Sequence, residues 1–145
     1  KLLGGDPLIM ATCGGDFAPY ADRLDKLGIV QTHIHPVPGY FTAQAFITTD
    51  LSDNQITAFH PGAMNQSHLN RVTDATGVTL GIVSPDGRDG MLQHAEQFHA
   101  ANNPFIFYPE QVMPRFNSKE ITPYVELAEY VPLNDYTPEL LHTRT

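Results

Sequence analysis

The 145-residue sequence predicts an α/β fold, with a Rossmann-like parallel sheet, helices on both faces and a small β-ribbon lid. Short apolar runs typical of buried strands alternate with segments of helical periodicity along most of the chain. Such repeats favour a parallel sheet whose ligand sites lie at the carboxyl ends of the strands. One segment breaks this order, because it has the two-residue alternation of an exposed ribbon. We therefore expect a single domain over residues 1–145, with residues 32–62 inserted as the lid.

The first strand and helix are predicted at the start of the chain. Residues 8–12 form a short apolar run, and the diglycine that follows Cys13 predicts a tight turn. Asp16 is then placed to cap a helix over residues 17–27. Gly28 stands where a helix end requires a left-handed residue. An extended, proline-broken segment follows and leads into the ribbon.

The second half of the chain shows the same alternation. Strands are predicted at residues 80–84 and 104–107, with a weaker one at 130–133. Helices are predicted at residues 88–101, 120–128 and 138–143. The first of these helices has an inner stripe formed by Met91, Leu92, Ala95 and Phe98. Pro123 is expected in the first turn of the second helix, where proline is tolerated, and His94 and His99 are expected on the surface.

The ribbon combines two different faces. Alternation places Phe41, Ala43, Ala45 and Ile47 on an apolar face that predicts core, and Thr42, Gln44, Phe46 and Thr48 on a mixed face. Residues 50–54 are rich in turn formers, and residues 55–60 form the return strand. The mixed face is expected to be a binding surface, so Gln44 and Phe46 either contact a ligand or lie at a dimer interface.

Composition excludes several classes of partner. The net charge is −8 and the eight basic residues are scattered, which argues against nucleic acid and anionic membrane as partners. Cys13 is the only cysteine, so the chain alone builds neither a disulfide nor a thiolate metal site, and a reducing, cytoplasmic setting is expected. His33 and His35 share a strand face but lack further ligands at suitable spacing, so no metal site is predicted.

Several motifs occur in an order that resembles a known family. They are GGDFAPYADRLDKLGI, FTAQAFITTDLSDNQITAFHPGAMN, SPDGRDGMLQHAEQF, FIFYPEQ and VPLNDY. In this order the chain resembles the ribokinase/PfkB family of carbohydrate kinases, and its adenosine-kinase-like members most closely. The resemblance implies a ribokinase-like core that binds a nucleoside or sugar beneath a β-lid. It also implies ATP and Mg²⁺ as cofactors, phosphorylation of a primary hydroxyl, and a homodimer formed through the lid.

The resemblance also implies a set of site residues. The residues assigned to substrate are Thr42, Gln44, Phe46 and Asp86, and those assigned near phosphate and Mg²⁺ are Gln111, Asn134 and Asp135. Asp86 has an equally good alternative role at the start of the following helix. The family's catalytic aspartate, in a GAGD motif, would lie beyond Thr145, and its N-terminal substrate motif would precede Lys1. The chain is therefore expected to be the middle portion of a kinase.

Two departures from the family pattern leave a second hypothesis open. Thr137 stands where the family's N-x-x-E motif has its glutamate, and Tyr108 and Glu110 replace the small acid and the glycine of a DPGQ-like run. The first hypothesis is a portion of an ATP-dependent sugar or nucleoside kinase. The second is a catalytically inactive, kinase-derived fragment that binds a nucleoside or sugar, or that mediates dimerisation.

Overall fold

The computed structural model describes residues 3–133, apart from the side chains of Gln111 and Ser118. The helix expected at residues 138–143 lies outside this range. The chain divides into two compact units, Lys1–Asn70 and Arg71–Thr145, and each is described by itself.

The first unit is built around a pair of parallel strands. Strand β1 (Met10–Cys13) lies beside β2 (His33–Pro36), and the helix α1 (Ala18–Lys26) connects them. Gly28 has a φ of +64°, which confirms the predicted left-handed helix end. Strand β1 begins and ends later than predicted, so Cys13 lies inside the strand and is buried. Residues 33–36, at the start of the range expected to form the lid, pair with β1.

Asp16 does not cap α1, so that prediction was wrong. The N-cap is Phe17, and it makes no side-chain capping hydrogen bond. Pro19 in the first turn of the helix has no N–H and reduces the number of donors that need a cap. The Asp16 carboxylate is engaged instead by the chain that leads into the ribbon.

The predicted ribbon is present as two antiparallel strands, β3 (Gln44–Thr49) and β4 (Gln55–His60). In the turn between them, the Asp50 carboxylate accepts hydrogen bonds from the backbone N–H of Ser52 and from both the backbone and the side chain of Asn54. All residues of both strands are exposed. The prediction that one face is core was therefore wrong within residues 3–133, which leave both faces of this two-stranded ribbon exposed to solvent.

A 3-10 helix over Gly62–Leu69 was not predicted from the sequence. It lies against β1, because the buried Thr12 hydroxyl donates to the carbonyl of Ala63 over 2.7 Å. The Asn70 amide then donates to the carbonyl of Ala11 over 2.8 Å. These contacts join segments that are more than 50 residues apart, so the local pattern of the sequence does not reveal them.

The second unit contains another parallel pair, β5 (Gly81–Val83) and β6 (Phe105–Phe107). Tyr130 forms a parallel bridge with Ile106, so the weak third strand is present as a single bridge. Two helices belong to this unit, α2 (Arg88–Ala100) and α3 (Ser118–Leu127). Both parallel pairs agree with the predicted α/β class. Within residues 3–133 the strands form three two-stranded sheets rather than one continuous sheet.

Helix α2 buries most of its predicted stripe. Met91, Ala95 and Phe98 are buried, and the Phe98 ring stacks on Phe105 at 5.9 Å between centroids. His94 is also buried, with 9% of its surface exposed, so the prediction of a surface position was wrong. It lies three residues after Met91 and four before Phe98, which places it on the same face of the helix.

Helix α3 begins with a capping box. The Asn117 side chain accepts from the backbone of Glu120, whose carboxylate accepts in turn from the backbone N–H of Asn117. Glu120 also pairs with Arg88 at the start of α2. Because the helix begins at Ser118, Pro123 lies beyond the first turn, contrary to prediction. No helix in the described part of the chain is long and apolar enough to cross a membrane.

We predict that the second unit depends on Phe107, which is fully buried. Phe107→Ala should lower the free energy of unfolding by about 3–5 kcal/mol, because it removes apolar contacts and leaves a cavity. Ile82→Ala is the matched control, because Ile82 belongs to the same sheet but is 64% exposed. It should cost less than about 0.5 kcal/mol. Urea unfolding followed by circular dichroism measures both, and equal losses would contradict this assignment of the core.

Candidate functional site

The carboxyl end of β1 meets the chain that enters the ribbon. We call residues 40–44 the ribbon root. A Cβ on Gly14 would lie 2.3 Å from the Phe41 carbonyl carbon and from the Tyr40 oxygen, so only glycine fits at this crossing. The next N–H, of Gly15, donates to the Tyr40 carbonyl over 3.1 Å. The root therefore passes directly over the end of the strand.

The other side of the root is held by the start of the 3-10 helix. Gly62 has a φ of +48°, and a Cβ there would lie 2.2 Å from the Phe41 oxygen. The N–H of Ala63 donates to the same oxygen over 2.8 Å. Because Thr12 on β1 holds Ala63 in turn, the root lies between two backbone segments that are fixed to the same strand.

Asp16 adds a carboxylate to this crossing. Its Oδ1 accepts from the backbone N–H and from the hydroxyl of Thr42, each over 2.7 Å. Its Oδ2 accepts from the Gln44 amide over 3.1 Å. The hydrogen bonds from Thr42, followed by smaller effects of the backbone N–H of Asp16 itself and of Gln44, lower the pKa of Asp16, because donors stabilise the charged form. The group is a carboxylate at neutral pH.

Thr42 and Gln44, two of the residues assigned to substrate, thus meet at Asp16. The Thr42 hydroxyl accepts from the Gly14 N–H over 3.0 Å and donates its single proton to Asp16. The Gln44 side-chain amide donates one of its N–H groups to Asp16. Among the described residues, none donates to the oxygen of the Gln44 amide, which remains an acceptor for a ligand.

The ribbon face that carries Gln44 continues away from the root. Gln44, Phe46 and Thr48 share this face with their cross-strand partners His60, Ala58 and Ile56. Phe46 is 63% exposed, so an aromatic ring stands next to the amide on an open surface. The opposite face carries Ala45, Ile47 and Thr49 with Phe59, Thr57 and Gln55.

Cys13 lies at the end of β1, close to the same crossing. It is buried, and burial together with the charge of Asp16 raises the pKa of its thiol. The residue is therefore a neutral thiol in the interior and not an activated nucleophile.

The remaining predicted residues belong to the second unit or lie outside the described range. Asp86 follows β5, and its carboxylate accepts from the N–H of Gly87, the N-cap of α2, over 2.7 Å. Gln111 lies in the 3-10 helix Glu110–Arg115 after β6, and its side chain is not among those described. Asn134 and Asp135 lie outside the described residues.

Two side chains that depart from the family pattern form a pair at the carboxyl end of β6. The Tyr108 phenol donates to the Glu110 carboxylate. That hydrogen bond is the main cause of a raised pKa for Tyr108, because it stabilises the protonated phenol. The bulky ring and the extra charge at this loop are therefore bound to each other.

Sequence reasoning missed Asp16 as part of the site. A carboxylate that directly follows a strand and a diglycine was a signal, but the same position also suits a helix cap. In the part of the chain that the structure covers, no group of three or more His, Cys, Asp or Glu side chains is arranged to hold a metal ion.

We predict that Gly14 does not tolerate substitution by alanine, whereas the neighbouring Gly15 does. Gly14→Ala should destabilise the chain by about 1–3 kcal/mol, because the new methyl group meets backbone that must move. Gly15→Ala is the matched control, since a Cβ there has nothing within 4 Å. It should change stability by less than about 0.5 kcal/mol. Thermal or urea unfolding distinguishes them, and equal effects would show that the root does not press on Gly14.

Comparison with protein-family models found no match. Solved structures gave clear similarities. A nucleoside kinase from Burkholderia thailandensis, solved in complex with inosine, is 48% identical over 99% of this chain and 48% of its own, with a TM-score of 0.95. A nucleoside kinase from Methanocaldococcus jannaschii, described as an archaeal member of the ribokinase family, is 22% identical over 98% of this chain and 48% of its own, with a TM-score of 0.88.

A fructokinase from Xylella fastidiosa shares the fold at 16% identity, over 97% of this chain and 49% of its own, with a TM-score of 0.76. The chain therefore spans about half the length of the solved kinases that it matches. The resemblance that the motifs indicated is confirmed: the structural neighbours of this chain are nucleoside kinases and other ribokinase-family (PfkB) proteins, and the chain corresponds to a portion of them.

Proposed function

We propose that this chain is part of a nucleoside kinase that transfers phosphate from ATP to a primary hydroxyl of its substrate. The observation that carries the proposal is the 48% identity, over almost the whole chain, to a nucleoside kinase solved with inosine. The same kinase has also been solved with ADP-inosine, and that structure covers 99% of this chain at a TM-score of 0.93. Identity at this level supports a nucleoside, rather than only the fold, as the ligand class.

In the first unit, we propose that the nucleoside binds at the carboxyl end of β1, beneath the Gln44 face of the ribbon. The free oxygen of the Gln44 amide accepts from a sugar hydroxyl or from an N–H of the base. Phe46 offers an aromatic ring on which a base stacks. Thr42 retains one acceptor position on its oxygen, since a hydroxyl oxygen accepts two hydrogen bonds and the Gly14 N–H occupies one.

In the second unit, we propose that the Asp86 carboxylate binds a substrate hydroxyl, because carboxylates accept well from alcohols. Gln111, Asn134 and Asp135 remain proposals for the vicinity of phosphate and Mg²⁺, and they rest on the resemblance. ATP would supply the phosphoryl group, and Mg²⁺ would neutralise charge on the phosphates. Magnesium is usually held by one or two carboxylates together with the phosphates, so the lack of a metal cluster among the described residues is compatible with this role. We assign no step of phosphoryl transfer to the described side chains.

A homodimer formed through the ribbon also remains a proposal. Its support is the exposure of large apolar side chains on both ribbon faces, including Phe46, Ile47, Ile56 and Phe59. Several large apolar side chains exposed on one two-stranded ribbon are typical of a binding surface. A cytoplasmic setting is proposed only from the single cysteine.

We predict that the chain binds inosine and that the two ribbon faces contribute differently. Phe46→Ala should weaken binding by about 2- to 10-fold, the value of one aromatic contact. Ile47→Ala is the matched control, because Ile47 is the next residue, is 58% exposed and lies on the opposite face. It should leave the affinity unchanged. Isothermal titration calorimetry measures both variants.

Absence of inosine binding at millimolar ligand, or equal weakening in the two variants, would contradict the proposed site. An ATP-consumption assay on the same samples gives a one-sided test of the first hypothesis. Consumption that depends on inosine supports a kinase. Binding without consumption is expected both of a kinase-derived binding module and of a kinase portion without the family's GAGD motif.

We predict that a ribbon dimer is lost when charge is placed on the Gln44 face. Phe46→Asp should convert a sedimenting dimer into a monomer, because a carboxylate would be desolvated at the interface. Tyr20→Asp on α1 is the control, since Tyr20 is 62% exposed and distant from the ribbon in sequence. Analytical ultracentrifugation at micromolar concentration measures the change. A dimer that persists in Phe46→Asp would remove this face from the interface.

A further inference from the structure

Three donors to the Asp16 carboxylate lie on the ribbon root. They are the backbone N–H and hydroxyl of Thr42 and the side-chain amide of Gln44. Asp16 itself belongs to the loop after β1, 26 residues earlier in the chain than Thr42. One side chain thus connects the end of the strand to the first residue of the ribbon.

The backbone contacts of the crossing do not orient the side chain of Gln44. Gly14, Gly15 and Ala63 fix the main chain at Tyr40 and Phe41. The side chain of Gln44 extends beyond these contacts, and its hydrogen bond to Asp16 is what orients the amide. Because a carboxylate only accepts, it takes an N–H of the amide and leaves the amide oxygen for a ligand.

We propose that Asp16 is a positioning residue, which holds the Gln44 amide in the orientation that presents its oxygen to the substrate. The chemical class recognised by that oxygen is a hydrogen-bond donor, either a hydroxyl or an N–H of a base. Only this substrate contact rests on the proposed function. The coupling of Gln44 to Asp16 stands on the geometry of the first unit.

The test uses the isotopically labelled 145-residue chain, without nucleoside, and compares Asp16→Asn with Asp16→Ala by nuclear magnetic resonance. Asparagine keeps one oxygen for Thr42 but replaces the oxygen that accepts from Gln44 by an NH₂ group. In Asp16→Asn the side-chain amide signals of Gln44 should therefore move to positions typical of a solvent-exposed glutamine, while the Thr42 amide stays protected from exchange. In Asp16→Ala both should be released, with Thr42 exchanging roughly 10-fold faster or more, as expected on loss of a hydrogen bond to a charged group.

Asp22→Asn is the matched control, because it makes the same change of charge at an exposed position on α1. It should move neither signal. Unchanged Gln44 side-chain signals in Asp16→Asn would overturn the proposal, and so would a protected Thr42 amide in a folded Asp16→Ala. If Asp16→Ala does not fold, the Gln44 signals of Asp16→Asn decide alone. If Asp16 had a purely structural role, its variants would lower stability, but Asp16→Asn would not release the Gln44 side chain while the Thr42 amide stays protected. A failure of inosine binding would contradict the proposed function and would not change these signals, which are measured without nucleoside.

Discussion

The close approach of the ribbon root to Gly14 is the contact on which the candidate site depends. The Phe41 and Tyr40 backbone lies where any side chain at residue 14 would have to be. This approach brings the Thr42 hydroxyl within reach of the Gly14 N–H and of the Asp16 carboxylate. The polar site therefore follows from a steric condition that a single glycine meets.

The second unit is held together by buried aromatic rings and by side-chain contacts at the N-termini of its two helices. Phe98 on α2 stacks on Phe105, and Tyr124 on α3 lies against Phe107, with ring centroids 6.1 Å apart. The Glu120 carboxylate serves both the capping box of α3 and the ion pair with Arg88 at the start of α2. The two helices consequently begin at positions fixed relative to each other, next to the loop that carries Asp86.

Sequence patterns predicted those features whose causes are local. Alternation located the ribbon, apolar runs located β1, β5 and β6, and Gly28 marked the end of α1. Strand β2 was expected only as an extended segment, because its two histidines and its proline do not form an apolar run. The role of Asp16 was missed because its partners are 26 and 28 residues away, and a local pattern favoured a cap. The ribbon was assigned a core face because alternation reports which residues share a face and not what covers that face. Similarly, Pro123 was expected in the first turn of α3 because the capping residue Asn117 was not recognised, so the start of the helix was predicted too late.

The site joins a fixed polar contact to an open surface. Asp16 and the backbone of the root hold Thr42 and Gln44, while Phe46 lies on the exposed part of the same face. A ligand with hydroxyl groups and an aromatic ring fits these two parts, and a nucleoside has both. The solved kinase with inosine supports the same ligand class from its similarity to this chain. The candidate site and the comparison thus both support the proposal of nucleoside binding.

The most direct measurement is therefore a map of nuclear Overhauser effects between inosine and the labelled chain. The account predicts contacts from the nucleoside to the Phe46 ring and to the Gln44 side-chain amide, and none to Ile47 on the opposite face. Contacts confined to Ile47 and its neighbours, or no contacts at saturating inosine, would contradict it.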